Sequence, residues 1–182
     1  FDLKAILFDM DGILYDSMPA HAKSWQDTME EFGYKSTKPI DFYLHEGRVG
    51  KSTINIITKR EFKRNATAEE KDNIYARKTE LFQQINDNAI IPGAENVLNF
   101  VKEQGLKAIL VTGSGQPSLL ERLETSFPNT FTPETMVTAF NVKNGKPNAE
   151  PYLMGLKMGG KLNPNQAIVI ENAPLGIESA AA

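Results

Sequence analysis

The sequence predicts an α/β protein, a parallel sheet with helices on its faces, interrupted after its first strand by an inserted helical unit. Three observations carry that prediction. Ile6, Leu7 and Phe8 form a short unbroken apolar run closed by Asp9, the pattern of a strand covered on both faces. From "IIPGAEN" onward, helix-like and strand-like stretches alternate, which argues for parallel strands joined by right-handed crossovers. Between these regions the chain reads as helices and loops only. The expected division is therefore a core of residues 1–16 and 89–182 and a helical insertion of residues 17–88.

Each element has a local reason. In "SMPAHAKSWQDTMEEFG", Pro19 suits a first helical turn, Ala22, Trp25, Met29 and Phe32 recur at helical spacing, and Gly33 is a stop. The loop "HEGRVGKS" leads to a helix near Thr53 to Phe62. Thr67 and Glu70 form a capping-box pattern at the head of a long helix whose apolar face is read as Ile74, Leu81 and Ile85. Lys78 falls on that face, where a lysine ordinarily snorkels to water. A helix over about 94–104, a strand from Leu106 to Val111 and a helix after Pro117 come next. A strand near Met136 to Phe140, a helix from Pro151 to Met158, a strand from Ala167 to Ile170 and a last helix complete the order. The closing run "GIESAAA" lacks a stop signal and suggests that C-terminal strands lie beyond residue 182.

Composition narrows the chemistry. The 182 residues are 41% hydrophobic and 24% charged, values of a globular protein, and the net charge of -3 argues against a nucleic-acid surface. No stretch approaches a membrane span and no secretory signal is visible, so a cytoplasmic protein is expected; nothing fixes an oligomeric state. With no cysteine and only His21 and His45, thiolate chemistry and multi-histidine metal sites are excluded. Carboxylates, hydroxyls and lysines must do the work.

Ligands of such sheets bind beyond the carboxyl ends of the strands. There the first strand offers Asp9 and Asp11, two carboxylates on one side of an extended chain that repel unless a cation or shared proton relieves them. The second offers Thr112, Gly113 and Ser114, a hydroxyl with loop amides that can hold phosphate oxygens. Lys146 follows the third, stiffened by Pro147, and Glu171 and Asn172 follow the fourth. Each piece alone has an ordinary structural reading as a turn, a cap or a solvated lysine. All four at successive strand ends point to phosphoryl transfer.

Carried by "DMDG", "VTGS", "GKP" and "ENAPLGIESAAA", the chain resembles the haloacid dehalogenase (HAD) superfamily, a Rossmann-like fold, and specifically its β-phosphoglucomutase-like branch, in which the helical insertion is a mobile cap. The resemblance implies that Asp9 is the nucleophile that becomes an aspartyl phosphate and Asp11 the general acid/base. Thr112 and Lys146 would hold the transferring group. Mg²⁺ would sit on Asp9, the Asp11 backbone carbonyl and the fourth-motif residues Glu171 and Asn172. Asp11, close to Asp9, is expected to keep a raised pKa and donate a proton to the leaving oxygen. Asn172 departs from the family's usual aspartate and removes a charge from the metal set.

The resemblance also assigns the cap. His21 matches the hinge histidine, with Asp16 and Ser17 beside it, and Lys78 matches a phosphate-facing lysine. The branch's mutase carries an arginine at the position of Gly50, for which Arg48 or Lys51 could substitute. Glu46 is unusual, since a carboxylate facing phosphate must hold the metal or its water. With Asn172 it is similar to an inorganic pyrophosphatase offshoot of the branch. A hydrolase of pyrophosphate or of a sugar phosphate, and a β-phosphoglucomutase, both remain open, with a hydrolase favoured.

Other classes fare worse. "GRVGKST" has only two residues between Gly47 and Gly50, where a P-loop needs four before its Gly-Lys. A receiver-like phosphoacceptor would need neither the helical insertion nor Asp-x-Asp-Gly. A non-catalytic member of the fold finds support only in Asn172.

Overall fold

The computed structural model describes residues 2–115 and 119–182. Four strands, β1 (Ala5–Phe8), β2 (Lys107–Val111), β3 (Met136–Val137) and β4 (Ala167–Ile170), form a parallel sheet in the order β3-β2-β1-β4. The sheet is the predicted one. Its alternating side chains feed two apolar layers: Ile6, Phe8 and Leu110 face one way, and Ala5, Leu7, Ile109 and Val111 the other. The first layer packs on α5 (Ala94–Glu103) and α6 (Leu119–Ser126) through Leu98, Val101, Leu119 and Leu123. The second packs on α7 (Glu150–Met158) through Tyr152. The last helix, α8, spans Pro174–Ala181. Pro117, expected just before α6, lies outside the described residues.

Helices α1 (Met18–Glu31), α2 (Pro39–Leu44), α3 (Gly50–Phe62) and α4 (Ala68–Ile85) bury a third apolar cluster of their own, including Trp25, Met29, Phe42, Ile54, Ile57 and Ile74. The chain leaves the sheet layer and returns to it along adjacent segments. Asp16 donates its backbone N–H to Ala89 (2.8 Å), and Ile91 donates to Leu14 (3.0 Å). That paired crossing is narrow, as a hinge between two packed bodies would be.

Several boundaries differ from expectation for local reasons. The strand expected from Met136 to Phe140 stops at Val137, because Asn141 Oδ1 accepts from both the amide and the hydroxyl of Thr138 and turns the chain. Helix α2 was not expected. Its signal is Pro39 at the first position and Asp41, whose carboxylate accepts from the Lys38 amide. The capping box of Thr67 and Glu70 is present, but α4 buries Ile74, Lys78 and Phe82, at four-residue steps, rather than Leu81 and Ile85. Among the described residues, no helix is long and apolar enough to cross a membrane.

Candidate active site

The four strand ends converge on Lys146. Its side chain is 1% exposed, and its three donors go to Asp9 Oδ1 (2.6 Å), Glu171 Oε1 (2.7 Å) and the Val111 carbonyl (3.1 Å). One ammonium thus ties the ends of β1, β2 and β4. Burial alone would lower the Lys146 pKa, but the charges of Asp9, Tyr152 and Glu171 outweigh it and hold the ammonium protonated well above its ordinary range. The Tyr152 ring lies 5.1 Å from that ammonium.

Asp9 continues β1, its N–H donating to Ile170 (3.0 Å). Burial raises its carboxyl to about 7; Lys146 opposes that rise, and the Glu171 and Asp11 charges reinforce it. Asp11 behaves oppositely to expectation. Burial would raise its pKa, but His21 Nε2 (3.3 Å) and the Ser17 hydroxyl (2.5 Å), both on Asp11 Oδ1, hold it well below the usual carboxylate range. The expected raised pKa is therefore corrected, because the insertion supplies hydrogen bonds to the ionised form that the spacing of the two aspartates does not reveal.

Glu171 is fully engaged. One oxygen accepts from Lys146 and the other from the amides of Asn172 (2.6 Å) and Ala173 (2.9 Å). It lies so close to the first turn of α8 that a Cβ on Gly176 would fall 1.6 Å from Glu171 Oε1, which is why "ENAPLG" has glycine there. The Asn172 amide covers Gly12, where φ is +84° and a Cβ would fall 2.2 Å from Asn172 Nδ2. Gly12 is thus required both by its backbone and by its neighbour. Asp9, Asp11, Glu171 and the Asn172 amide gather hard oxygens at the ends of β1 and β4, donors of the kind a divalent cation takes. Among the described residues, however, no three His, Cys, Asp or Glu side chains converge closely enough to grip a metal between them.

A cavity of about 70 Å³ separates this core from the helices above it. That is room for roughly five waters, the scale of a phosphoryl group rather than of a whole sugar phosphate. Asp9, Asp11, Thr112, Gly113 and Ser114 line its floor, and His21, Glu46, Arg48 and Lys78 its roof. Thr112 Oγ1 accepts from the Ser114 amide (3.1 Å), which folds the loop after β2. The roof rests directly on the floor: a Cβ on Gly113 would meet the Gly47 carbonyl at 3.2 Å, and one on Gly47 would meet Lys146 Cδ at 3.1 Å.

Lys78 is 6% exposed and does not snorkel. Its ammonium sits 2.7 Å from His21 Nδ1, 4.5 Å from the centre of the Phe82 ring and 5.5 Å from that of Trp25. Burial pushes its pKa down to about 8, partly countered by Glu46 and Asp11. With Lys78 protonated, it donates to Nδ1 and leaves the His21 proton on Nε2, aimed at Asp11. Two other expectations for the roof change. Lys51, a candidate phosphate ligand, instead pairs with Asp72 on the surface, because its place in the first turn of α3 turns it toward α4. Gly50 has no room for an arginine, since even a Cβ would fall 2.3 Å from the Tyr75 ring. Among the charged lining residues the sequence reading missed Arg122 of α6, a cation between the apolar Leu119 and Leu123.

Comparison with known proteins agrees with this arrangement. The family profile of the haloacid dehalogenase-like hydrolases matches residues 6–182. Hexitol phosphatase A of Escherichia coli is 31% identical over 97% of this chain and 77% of that protein. A phosphorylated carbohydrates phosphatase of Thermotoga maritima is 30% identical over 98% of this chain and 80% of that protein. A solved structure from Bacteroides vulgatus, described as a candidate β-phosphoglucomutase, superposes with a TM-score of 0.93 at 53% identity, covering 99% of this chain and 72% of that one. With its motifs on four converging strand ends, the chain belongs to the haloacid dehalogenase-like hydrolases, on the branch of sugar phosphatases and β-phosphoglucomutases.

Proposed function

We propose that the protein is a phosphohydrolase that works through an aspartyl phosphate on a small phosphate compound. The observation that carries this is Asp9, buried at the end of β1 and bonded to Lys146, facing the same cavity as Asp11 and the Thr112 loop. An Asp9 oxygen forms the bond to phosphorus, the bond to the leaving oxygen breaks, and that oxygen takes the proton that Asp11, ionised in the resting site, picks up from solvent when the substrate's negative charge enters beside it. Water then attacks the phosphorus and gives a proton to Asp11, so that phosphate departs and both aspartates are restored. Thr112 and its loop amides steady the phosphoryl oxygens, with Lys146, whose donors hold Asp9, Glu171 and Val111, supplying positive charge from behind. The helical unit of residues 17–88 acts as the cap that excludes bulk water.

A magnesium ion fits the donors in kind, and it would screen the approach of anion to anion. Its ligands would be the Asp9 carboxylate, the Asp11 backbone carbonyl and the Asn172 amide. Water would fill much of the shell, as Mg²⁺ prefers. Glu171, committed to Lys146 and two amides, orients that loop from behind.

Two observations bear on the substrate. Gly50 carries no side chain where the mutase has its arginine, and Tyr75 fills the space beside it, which favours hydrolysis over intramolecular phosphate exchange unless Arg48, which also lines the cavity, takes that arginine's place. Glu46 lines the cavity rather than facing solvent, and its charge reaches Lys78 and Tyr75. That favours a second reading, in which the substrate is pyrophosphate arriving with magnesium, beside the sugar phosphates on which the relatives act.

The test is phosphate release with Mg²⁺ from hexitol phosphates, sugar phosphates and pyrophosphate. β-Glucose 1-phosphate primed with bisphosphate is assayed in parallel for glucose 6-phosphate. Wild type should release phosphate, and Asp9→Asn should lose ~10⁴-fold or more. Glu46→Ala should lose pyrophosphate hydrolysis selectively. Glucose 6-phosphate formed without phosphate release would overturn the hydrolase in favour of a mutase.

A further inference from the structure

Arg122 is a loosely held cation of the site. It comes from α6, on the floor side of the cavity, and lines that cavity together with Asp11 and Met10. Its guanidinium lies over the Tyr15 ring, 5.0 Å from the centre. Among the described residues its guanidinium makes long hydrogen bonds, Nη1 to Asn88 Oδ1 (3.4 Å) and Nη2 to Met10 Sδ (3.4 Å), and a contact with the Tyr15 hydroxyl, while Nε is buried with no partner. No carboxylate pairs with it among the described residues. The half-buried guanidinium keeps one buried donor, Nε, without an acceptor, and an unmatched buried donor costs the desolvation of that group.

The orphaned nitrogens cluster. Arg48 Nε and His45 Nδ1, on the roof, are also buried without partners and line the same cavity. Donors left open on both walls of one small cavity describe a site shaped for an anion. Arg122 stands on the Asp11 side, near enough for its charge to act on the Asp11 carboxyl. Asp11 is the group that serves the leaving oxygen, so Arg122 faces the departing half of the substrate rather than the phosphoryl group that Thr112 and its loop amides hold.

We propose that Arg122 binds a second anionic group carried by the leaving portion of the substrate. The preferred substrates are then phosphoanhydrides or phosphorylated acids, rather than phosphate esters of neutral polyols. This rests on the phosphohydrolase reading for the identity of the leaving half, but the anion site itself can be tested without turnover. A planar fork stacked on tyrosine matches two oxygens of one phosphate or carboxylate, a geometry that lysine cannot copy.

The experiment titrates methylenediphosphonate and methylphosphonate, with Mg²⁺, into the intact chain and into Arg122→Gln and Arg122→Lys by calorimetry. Wild type should prefer the diphosphonate. Arg122→Gln should shrink that preference ~10- to 100-fold, and Arg122→Lys should retain part of it. The lysine variant keeps charge and stem, so it reads out the contact even if the glutamine variant melts early. Equal weakening of both ligands, or no change in either, would overturn the assignment. An Arg122-dependent preference in a protein that turns over no phosphate compound would support the anion site while refuting the phosphohydrolase reading.

Discussion

The floor and the roof of the cavity are built by different rules. On the floor, Asp9, Thr112 and Glu171 are each the residue next after a strand, and the sheet register brings them together: Phe8 pairs with Leu110 and with Ile170, so Asp9 and Glu171 lie at matching heights beside Val111 and are joined there by Lys146. On the roof, groups come from two helices and a loop, and their positions depend on how α1, α3 and α4 pack around Trp25, Ile54 and Ile74. The floor is therefore rigid and fixed in its chemistry. The roof can change a contact by exchanging a single side chain, as Gly50 and Tyr75 do. Reaction belongs to the first and selection mainly to the second, with Arg122 of α6 as the exception on the floor side.

The strongest way to test that division is to remove the tie on the floor. Lys146→Met leaves Asp9 and Glu171 buried beside each other without their shared counter-charge. Breaking a buried pair from one side costs about 3–5 kcal/mol, and chemical denaturation should show a loss of that order along with the activity. A variant that kept its full stability would mean that the sheet, rather than Lys146, holds the strand ends in place.

Gly50→Ala probes the roof alone. Its Cβ would drive into the Tyr75 ring, and overpacking of this kind costs about 1–3 kcal/mol. Thermal melting should fall, and Gly50→Ala combined with Tyr75→Ala should regain much of the loss. The catalytic floor makes no contact with that collision, so the phosphorylation of Asp9 by a small phosphodonor should survive in the double variant. Loss of the phosphoenzyme there would show that floor and roof are not separable.

The same contrast explains what the sequence made legible. Asp9, Asp11, Thr112, Lys146 and Glu171 could be read because strand periodicity and the alternation of elements place strand ends together without any knowledge of side-chain packing. The ionisation of Asp11 could not, because His21 and Ser17 reach it from the insertion, and no local pattern encodes that contact. Lys51 and Arg122 exchanged expectations for a related reason. Rotation of α3 sends Lys51 to Asp72, whereas α6 carries Arg122 over Tyr15 into the cavity. Both outcomes depend on tertiary packing, which a helical stripe restricts only to a face. The short helix α2 was hidden by its length, six residues being too few for periodicity to speak.

Lys78 gives the smallest and subtlest effect, because there function and stability oppose each other. The helix places it where a hydrophobe belongs, between Ile74 and Phe82, and its contacts with His21 and two aromatic rings, with the charges of Glu46 and Asp11, offset the burial of charge only in part. Lys78→Met should therefore stabilise the fold by about 1–2 kcal/mol near neutral pH, while turnover falls because His21 loses the donor that orients it toward Asp11. The sign follows from the folded pKa of about 8, below the ordinary 10.5. The unfolded chain holds that proton more tightly, so the penalty is fully present below pH 8 and fades as the pH rises toward 10.5. Denaturation midpoints of the two proteins should thus lie farthest apart at pH 7 and draw together by pH 10. A gap that widened with pH would mean that Lys78 is stabilised by its partners rather than tolerated for its role.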